Sequence, residues 1–215
     1  MAGVRHPLTI AIDGPAASGK GTIARALARH YGLPHLDTGA LYRAVALAAL
    51  EAGVDLTQGP AVAALARALD LDHCDDARLR ADRVARAASA VAALPEVRNA
   101  LLDVQRRFAA APPGAVLDGR DIGTVILPQA RAKLFVTARP EVRARRRFLE
   151  LAARGTPTSE AEVLADIRRR DLADSTRPTA PLARAPDAVL LDTSDLDIDE
   201  AVRRAIDIVE ARIAA

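Results

Sequence analysis

The stretch "GPAASGKGT", Gly14 to Thr22, joins the apolar run "LTIAID" to "IARALARHYG", a pattern in which a strand enters a glycine-rich turn and leaves as a helix. Gly14, Pro15, Ala16, Ala17, Ser18, Gly19 and Lys20 fill the first positions of the G-x-x-x-x-G-K-[ST] pattern. In such a turn, converging backbone N–H groups and a helix N-terminus bind a polyphosphate, and Lys20 adds a mobile charge for the transferred group. The residue after the lysine is Gly21, so the hydroxyl arrives one place late, at Thr22. Two arrangements of a Mg2+ ion therefore stay open: one held mostly by nucleotide phosphates and water, or one that Thr22 reaches. Asp118, at the end of an apolar run, is the carboxylate placed to orient that hydrated ion, and a surface turn aspartate is its alternative.

Arginines gather near the same end of the expected strands. "LDTGALYRA" (36–44) starts as a strand end and becomes a helix, with Thr38 expected as its cap and Tyr42 and Arg43 about one turn in. "LDGRDIGT" (117–124) sets Arg120 and Asp121 beside the crevice. In "RRRDLADSTRP", Arg170, Asp174 and Arg177 fall at i, i+4 and i+7, one stripe of a helix that Pro178 would end. Planar guanidinium forks converging from three segments suit a phosphate monoester, because each binds two oxygens and none can lose its charge. Without the loop at 14–22, the last three would be read as surface ion pairs.

These side chains need a scaffold, and the chain alternates short β-rich runs with longer helical patterns, as in a parallel sheet covered on both faces. Strands are predicted over 8–13, 34–37, 115–119, 132–138 and 188–193. Helices are predicted over 21–31, 40–52, 60–69, 79–93, 95–110, 140–154, 159–173 and 197–213. Three of the strands end in polar clusters that should share one crevice beyond the carboxyl edge of the sheet. The Ala-rich stretch 40–110 has no strong strand and reads as an insertion able to cover a substrate, and the prolines of 174–187 read as a loop returning to the sheet.

Composition narrows the function classes. The 215 residues, half of them hydrophobic, suffice for one sizeable core. A net charge of +2 gives no polycationic surface, so nucleic acid is not indicated as a partner. Only Lys20 and Lys133 among 30 basic residues are lysines, which singles out the loop lysine. Cys74 is the single cysteine, so no intramolecular disulfide can form and a reducing, cytoplasmic setting is expected. The opening "MAGVRHPLTIAIDGP" holds about one short apolar strand, too little for a signal sequence or a membrane span. His35 and His73 are expected as surface or packing residues.

Taken in order, "IDGPAASGKGT", "LDTGALYR", "LDGRDIGTVILP" and "RRDLADSTR" resemble the bacterial cytidylate kinases along nearly the whole chain. The resemblance implies a three-layer α/β fold of the P-loop nucleoside-monophosphate kinase type, with a five-stranded parallel sheet. It implies a core of about 1–39, 111–142 and 174–215, an acceptor-binding insertion of 40–110 and a lid of 143–173. The implied reaction moves the γ-phosphoryl group of ATP to CMP or dCMP with Mg2+, in a monomer. The resemblance assigns the acceptor phosphate to Arg43, Arg120 and Arg177, the sugar to Arg170 and Asp174, and the base to Ser89, Arg98 and Asp121, with Arg80 nearby. It makes the basic run "RPEVRARRRF" (139–148) a lid whose Arg143, Arg146 and Arg147 close over the phosphoryl group, where an exposed charged face is the alternative. An Asp beside an amino group and an Arg beside ring acceptors are complementary to cytosine and mismatched to uracil. On their own, Ser89 and Arg98 read as ordinary helix residues. The segment 71–79 is shorter than in many relatives. The rival functions are a same-fold kinase for UMP, AMP or a sugar acid, and a nucleic-acid-binding P-loop ATPase.

Overall fold

A computed structural model describes residues 7–69 and 77–214. Five parallel strands, β1 (Leu8–Asp13), β2 (His35–Asp37), β3 (Gly114–Gly119), β4 (Ala132–Thr137) and β5 (Val189–Asp192), lie in the order β2-β3-β1-β4-β5. The eight helices among the described residues are α1 (Lys20–Tyr31), α2 (Thr38–Glu51), α3 (Gly59–Arg67), α4 (Asp82–Val91), α5 (Pro95–Ala110), α6 (Pro140–Ala153), α7 (Glu160–Thr176) and α8 (Ile198–Ala214). This is the expected α/β architecture, with strand ends within one residue or so of those read from the sequence.

Alternation along the central strands explains the layers. Ile10 and Ile12 of β1 and Val116 of β3 pack against α1 and α8, with Leu27, Ala205 and Val209. Ala11, Ala115 and Leu117 face the other way, into a cluster with Leu41, Val45, Val84 and Leu101 of α2, α4 and α5. The 40–110 stretch thus shares its core with one face of the sheet. Helices α6 and α7 enclose a third, smaller cluster of Ala144, Leu151, Val163 and Ile167, and a Ser159–Glu162 capping box starts α7.

The chain runs from β1 to β2 on one side and from β3 to β4 on the other, so a crevice opens where these directions diverge, beyond Asp13 and Gly119. Local differences from expectation have physical causes. The helical pattern of 79–93 is broken at Ala81, whose ψ of 139° separates a 3-10 turn (Ala77–Arg80) from α4. Helix α7 runs on to Thr176, so the returning loop starts later than residue 174. Asp37, still extended, is the cap of α2 through Ala40 N, and Thr38 is already the first helical residue. The stretch Ile122–Ile126 is a π-helical turn, unexpected from the sequence.

Candidate active site

The loop from Gly14 to Gly19 leaves β1 and ends at the left-handed Gly19 (φ 87°), which starts α1 without a side-chain cap, so its first amides are left to a ligand. A side chain at Gly14 would meet the Val136 carbonyl oxygen at 2.0 Å, so the loop can lie this close to β4 only with glycine there. Lys20 Nζ donates to the Pro15 oxygen at 3.2 Å. Burial, with help from the Arg120 charge, pushes the Lys20 ammonium down to about 7. The Ser18 hydroxyl is buried without a hydrogen-bond partner, and Ala17 holds a left-handed φ of 58°.

Two of the arginines expected at the phosphoryl group bond the loop's supports. Arg143, 3% exposed, donates through Nε to Ala138 O at 2.8 Å and through Nη1 to Ala16 O at 3.2 Å, and its fork clasps Asp171 at 3.0 and 2.6 Å. Arg146 donates to Oγ1 and O of Thr193 at 3.0 and 2.7 Å, and Thr193 Oγ1 lies 3.1 Å from Ser18 O. Arg147 pairs with Glu150 at 2.9 Å.

On the acceptor side, each arginine expected at the phosphate has a partner at hand. Arg43 donates to Asp37 at 2.8 Å and Arg120 to Asp174 at 2.7 Å, while Arg177 Nη2 stands 3.6 Å from Asp121. Burial pushes Asp37 up, yet the Arg43 guanidinium and then Lys20 hold it below the usual carboxylate range. Arg98 bonds the other Asp121 oxygen and lies 5.7 Å over the Tyr42 ring. Burial pushes the Asp121 carboxyl up against Arg98, Arg177 and Arg120. Tyr42, Arg98, Leu102, Ile126 and Thr179 line a cavity of about 140 Å³ here. A hollow of about 430 Å³ lies along α1 by Arg25, Arg29 and His35 and shares no lining residue with this cavity.

Arg170 and Arg177 each keep a buried nitrogen, Nε and Nη2, without a hydrogen-bond partner among the described residues, and burial lowers both guanidinium pKa values. Those nitrogens are donors waiting for an acceptor. Thr38 Oγ1 donates to Asp118 O at 2.8 Å, tying α2 to β3. Ser89 is half-buried on α4, and no hydrogen bond among the described residues joins it to Asp121 or Arg98. Arg80 closes the 3-10 turn, and its side chain lies outside the described residues, as do His73 and Cys74.

Sequence reasoning missed four polar residues. His35 Nε2 sits 2.7 Å from Asp118 Oδ1, more than a surface or packing role. Asp171 and Thr193 anchor the loop as described. Asp13, 3% exposed, accepts Ile122 N and Gly123 N at 2.7 Å each. The sequence marks Asp13 and Thr193 only as polar strand-end residues.

Comparison with known proteins agrees with this geometry. Residues 10–211 match the family model "Cytidylate kinase". A cytidylate kinase of Rhodopseudomonas palustris strain TIE-1 is 62% identical over 204 residues, covering 95% of this chain and 96% of the relative. Among solved structures, TT1252 from Thermus thermophilus superposes with a TM-score of 0.52 at 26% identity, covering 98% of this chain and 100% of that one. A gluconokinase from Sinorhizobium meliloti 1021 superposes with the same TM-score at 18% identity over 98% and 95% of the two chains, which shows a shared fold. A phosphate loop at the carboxyl edge of a five-stranded parallel sheet, facing arginines from three segments, is thus the site of a chain that belongs to the cytidylate kinase family.

Proposed function

We propose that this chain transfers the γ-phosphoryl group of ATP to CMP and dCMP, giving ADP and CDP or dCDP. The observation that carries the reading is the pairing of an uncapped phosphate loop with the Arg98–Asp121–Arg177 group across one crevice, because the second can tell cytosine from uracil while the first cannot. Loop amides from Gly14 to Thr22 hold the donor, and Lys20 neutralises the moving phosphoryl. Arg43, Arg120 and Arg177 align the acceptor phosphate. Arg170 and Asp174 take the sugar, and Arg98 and Asp121 the base, with Thr38 and Tyr42 shaping the pocket wall. No general base is needed, since the acceptor oxygen is already ionised. The roles of Ser89 and Arg80 rest on the family resemblance.

The donor set fits Mg2+ brought in with ATP. Among the described residues no group of three His, Cys, Asp or Glu could cage a metal. Asp118 Oδ2 faces the start of α1, 3.9 Å from where a side chain on Gly21 would begin, while Oδ1 is taken by His35. Asp118 would hold the ion through water, and the Thr22 hydroxyl, which accepts from Arg25 at 3.4 Å, is the second candidate. When bound, Mg2+ supplies charge neutralisation across the phosphate oxygens.

Residues 143–173 form the lid, 40–110 the acceptor-binding part and the remainder the core, in a monomer of the cytoplasm. Arg143 and Arg146 bond the loop's supports, and Arg147, paired with Glu150, completes the set of lid arginines that the resemblance brings to the phosphoryl group. No helix among the described residues is long and apolar enough to cross a membrane. The ATPase that binds nucleic acid is disfavoured, because Arg139, Arg143, Arg145 and Arg147 are all engaged with acidic side chains.

The test is ADP release from Mg-ATP with CMP, dCMP, UMP, AMP, gluconate or no acceptor. Turnover dependent on CMP and dCMP is expected, and ADP release indifferent to the acceptor would overturn the reading.

A further inference from the structure

An aspartate at the start of a helical turn ordinarily caps that turn itself. Asp121 stands at this position before Ile122–Ile126, yet its side chain caps nothing. Both of its oxygens face arginines, Arg98 on one and Arg177 on the other. The turn's first amides still need acceptors, all the more so in a π-helical turn, where Ile126 N and Leu127 N reach back to Asp121 O and Ile122 O. Asp13 supplies them from another strand: Oδ1 accepts Ile122 N and Oδ2 accepts Gly123 N, both at 2.7 Å. Asp13 lies opposite Gly119 in the β1–β3 ladder, and the phosphate loop begins at the next residue. One carboxylate therefore ties the donor loop's root to the turn that carries Arg120 and Asp121.

We propose that Asp13 is a positioning residue for the acceptor site, capping the 122–126 turn in place of Asp121 so that Asp121 is left to read the base. This rests on the proposed function, in which Arg120 and Asp121 meet the acceptor. A purely structural need would not favour a charge here. Burial pushes the Asp13 carboxyl up to about 6 in spite of its two backbone bonds. The native state therefore holds the proton more tightly than the unfolded chain, and stability falls as pH rises from about 4 to about 6. The ionised group costs stability, and what it provides is two acceptor oxygens at once. Asparagine has one, and its NH2 would confront an amide N–H. The charged groups facing Asp13 are Asp121 and Arg120 from the turn, with the Lys133 stem of β4 packed beside Gly123 and its ammonium directed to Asp187.

The experiment compares Asp13→Asn, and Gly123→Ala as a second variant, with the wild type. A methyl at Gly123 would press on Asp13 Oδ2 at 3.3 Å, disturbing the same contact from the other side. For Asp13→Asn, KM for CMP should rise about tenfold and the CMP-over-UMP ratio of kcat/KM should fall about tenfold, the size of one lost charge-assisted bond. KM for ATP should stay within about twofold. Gly123→Ala should shift the same two quantities less. Unchanged CMP kinetics in Asp13→Asn, or equal rises in KM for CMP and ATP, would overturn the inference. If Asp13→Asn fails to fold, Gly123→Ala decides: its CMP-over-UMP ratio should fall below that of the wild type, and an unchanged ratio overturns the proposal. A wild type that turns over no CMP would overturn the proposed function and this inference together. Normal CMP turnover with an indifferent Asp13→Asn defeats this inference alone.

Discussion

The two halves of the crevice hold charge by different means. Around the donor, the ligand-facing groups are backbone amides fixed by one glycine-limited turn, and the neighbouring arginines, Arg143 and Arg146, bond the loop's supports. Around the acceptor the groups are side chains, and Arg43, Arg98 and Arg120 each stand on a carboxylate, Asp37, Asp121 and Asp174. The donor loop offers phosphate amides that no side chain caps and a lysine resting on the Pro15 carbonyl, whereas an acceptor phosphate must share guanidiniums already oriented by acids. Those acids keep the arginines in place, so a substrate able to satisfy several groups together has the advantage over a lone small anion.

If this contrast is right, the donor half should hinge on one side chain and the acceptor half on several. Lys20→Ala should lower kcat by about 10²- to 10³-fold, the loss typical of one preorganised charge at a transition state, in a steady-state assay with saturating CMP. Comparable losses from Ser18→Ala would break the contrast. Arg120→Ala, which also strands Asp174, should raise KM for CMP by about 10²-fold while moving KM for ATP far less, from the ~2–5 kcal/mol attached to truncating a hydrogen-bonded charge pair. Asp121→Ala should erode the preference for CMP over UMP by about tenfold, in line with ~1–3 kcal/mol for one mismatched buried group, measured as the ratio of kcat/KM values. An unchanged ratio would remove Asp121 from base reading. The smallest effect belongs to Ala17. Its left-handed backbone costs ~1–2 kcal/mol, partly offset by ~0.5–1 kcal/mol of added chain entropy in a glycine variant and by its methyl's packing on the α6–α7 cluster. Ala17→Gly should therefore stabilise the protein by less than about 1 kcal/mol in urea unfolding.

The same contrast governs what could be read in advance. The phosphate loop lies in nine consecutive residues, Gly14 to Thr22, so its chemistry is visible as a string. The strands are legible because their alternation and flanking helices repeat a simple pattern. Asp13 meets its partners 109 and 110 positions away, His35 meets Asp118 across 83, and Arg143 meets Asp171 across 28. No spacing rule links such pairs; sheet order brings the first two together and the packing of α6 on α7 the third. The arginine run at 139–148 shows the converse, since identical side chains along one run divide between loop support and ion pairs according to what the rest of the chain places opposite them. The cap of α2 is Asp37 and not the expected Thr38, because both residue types cap helices and only the extended backbone of Asp37 decides.

Chemical labelling offers one more consequence. The chain has two lysines, and they sit at opposite extremes of reactivity. Lys133 is 6% exposed, with its ammonium held by Asp187 and the Pro128 carbonyl. Burial pushes the Lys20 ammonium down to about 7, which raises its share of neutral, nucleophilic amine near neutral pH. An acylating reagent at neutral pH, followed by peptide mass analysis, should therefore mark Lys20 well ahead of Lys133, and ATP should shield it. The phosphate loop carries its own reporter of nucleotide occupancy, with a single competing lysine to subtract.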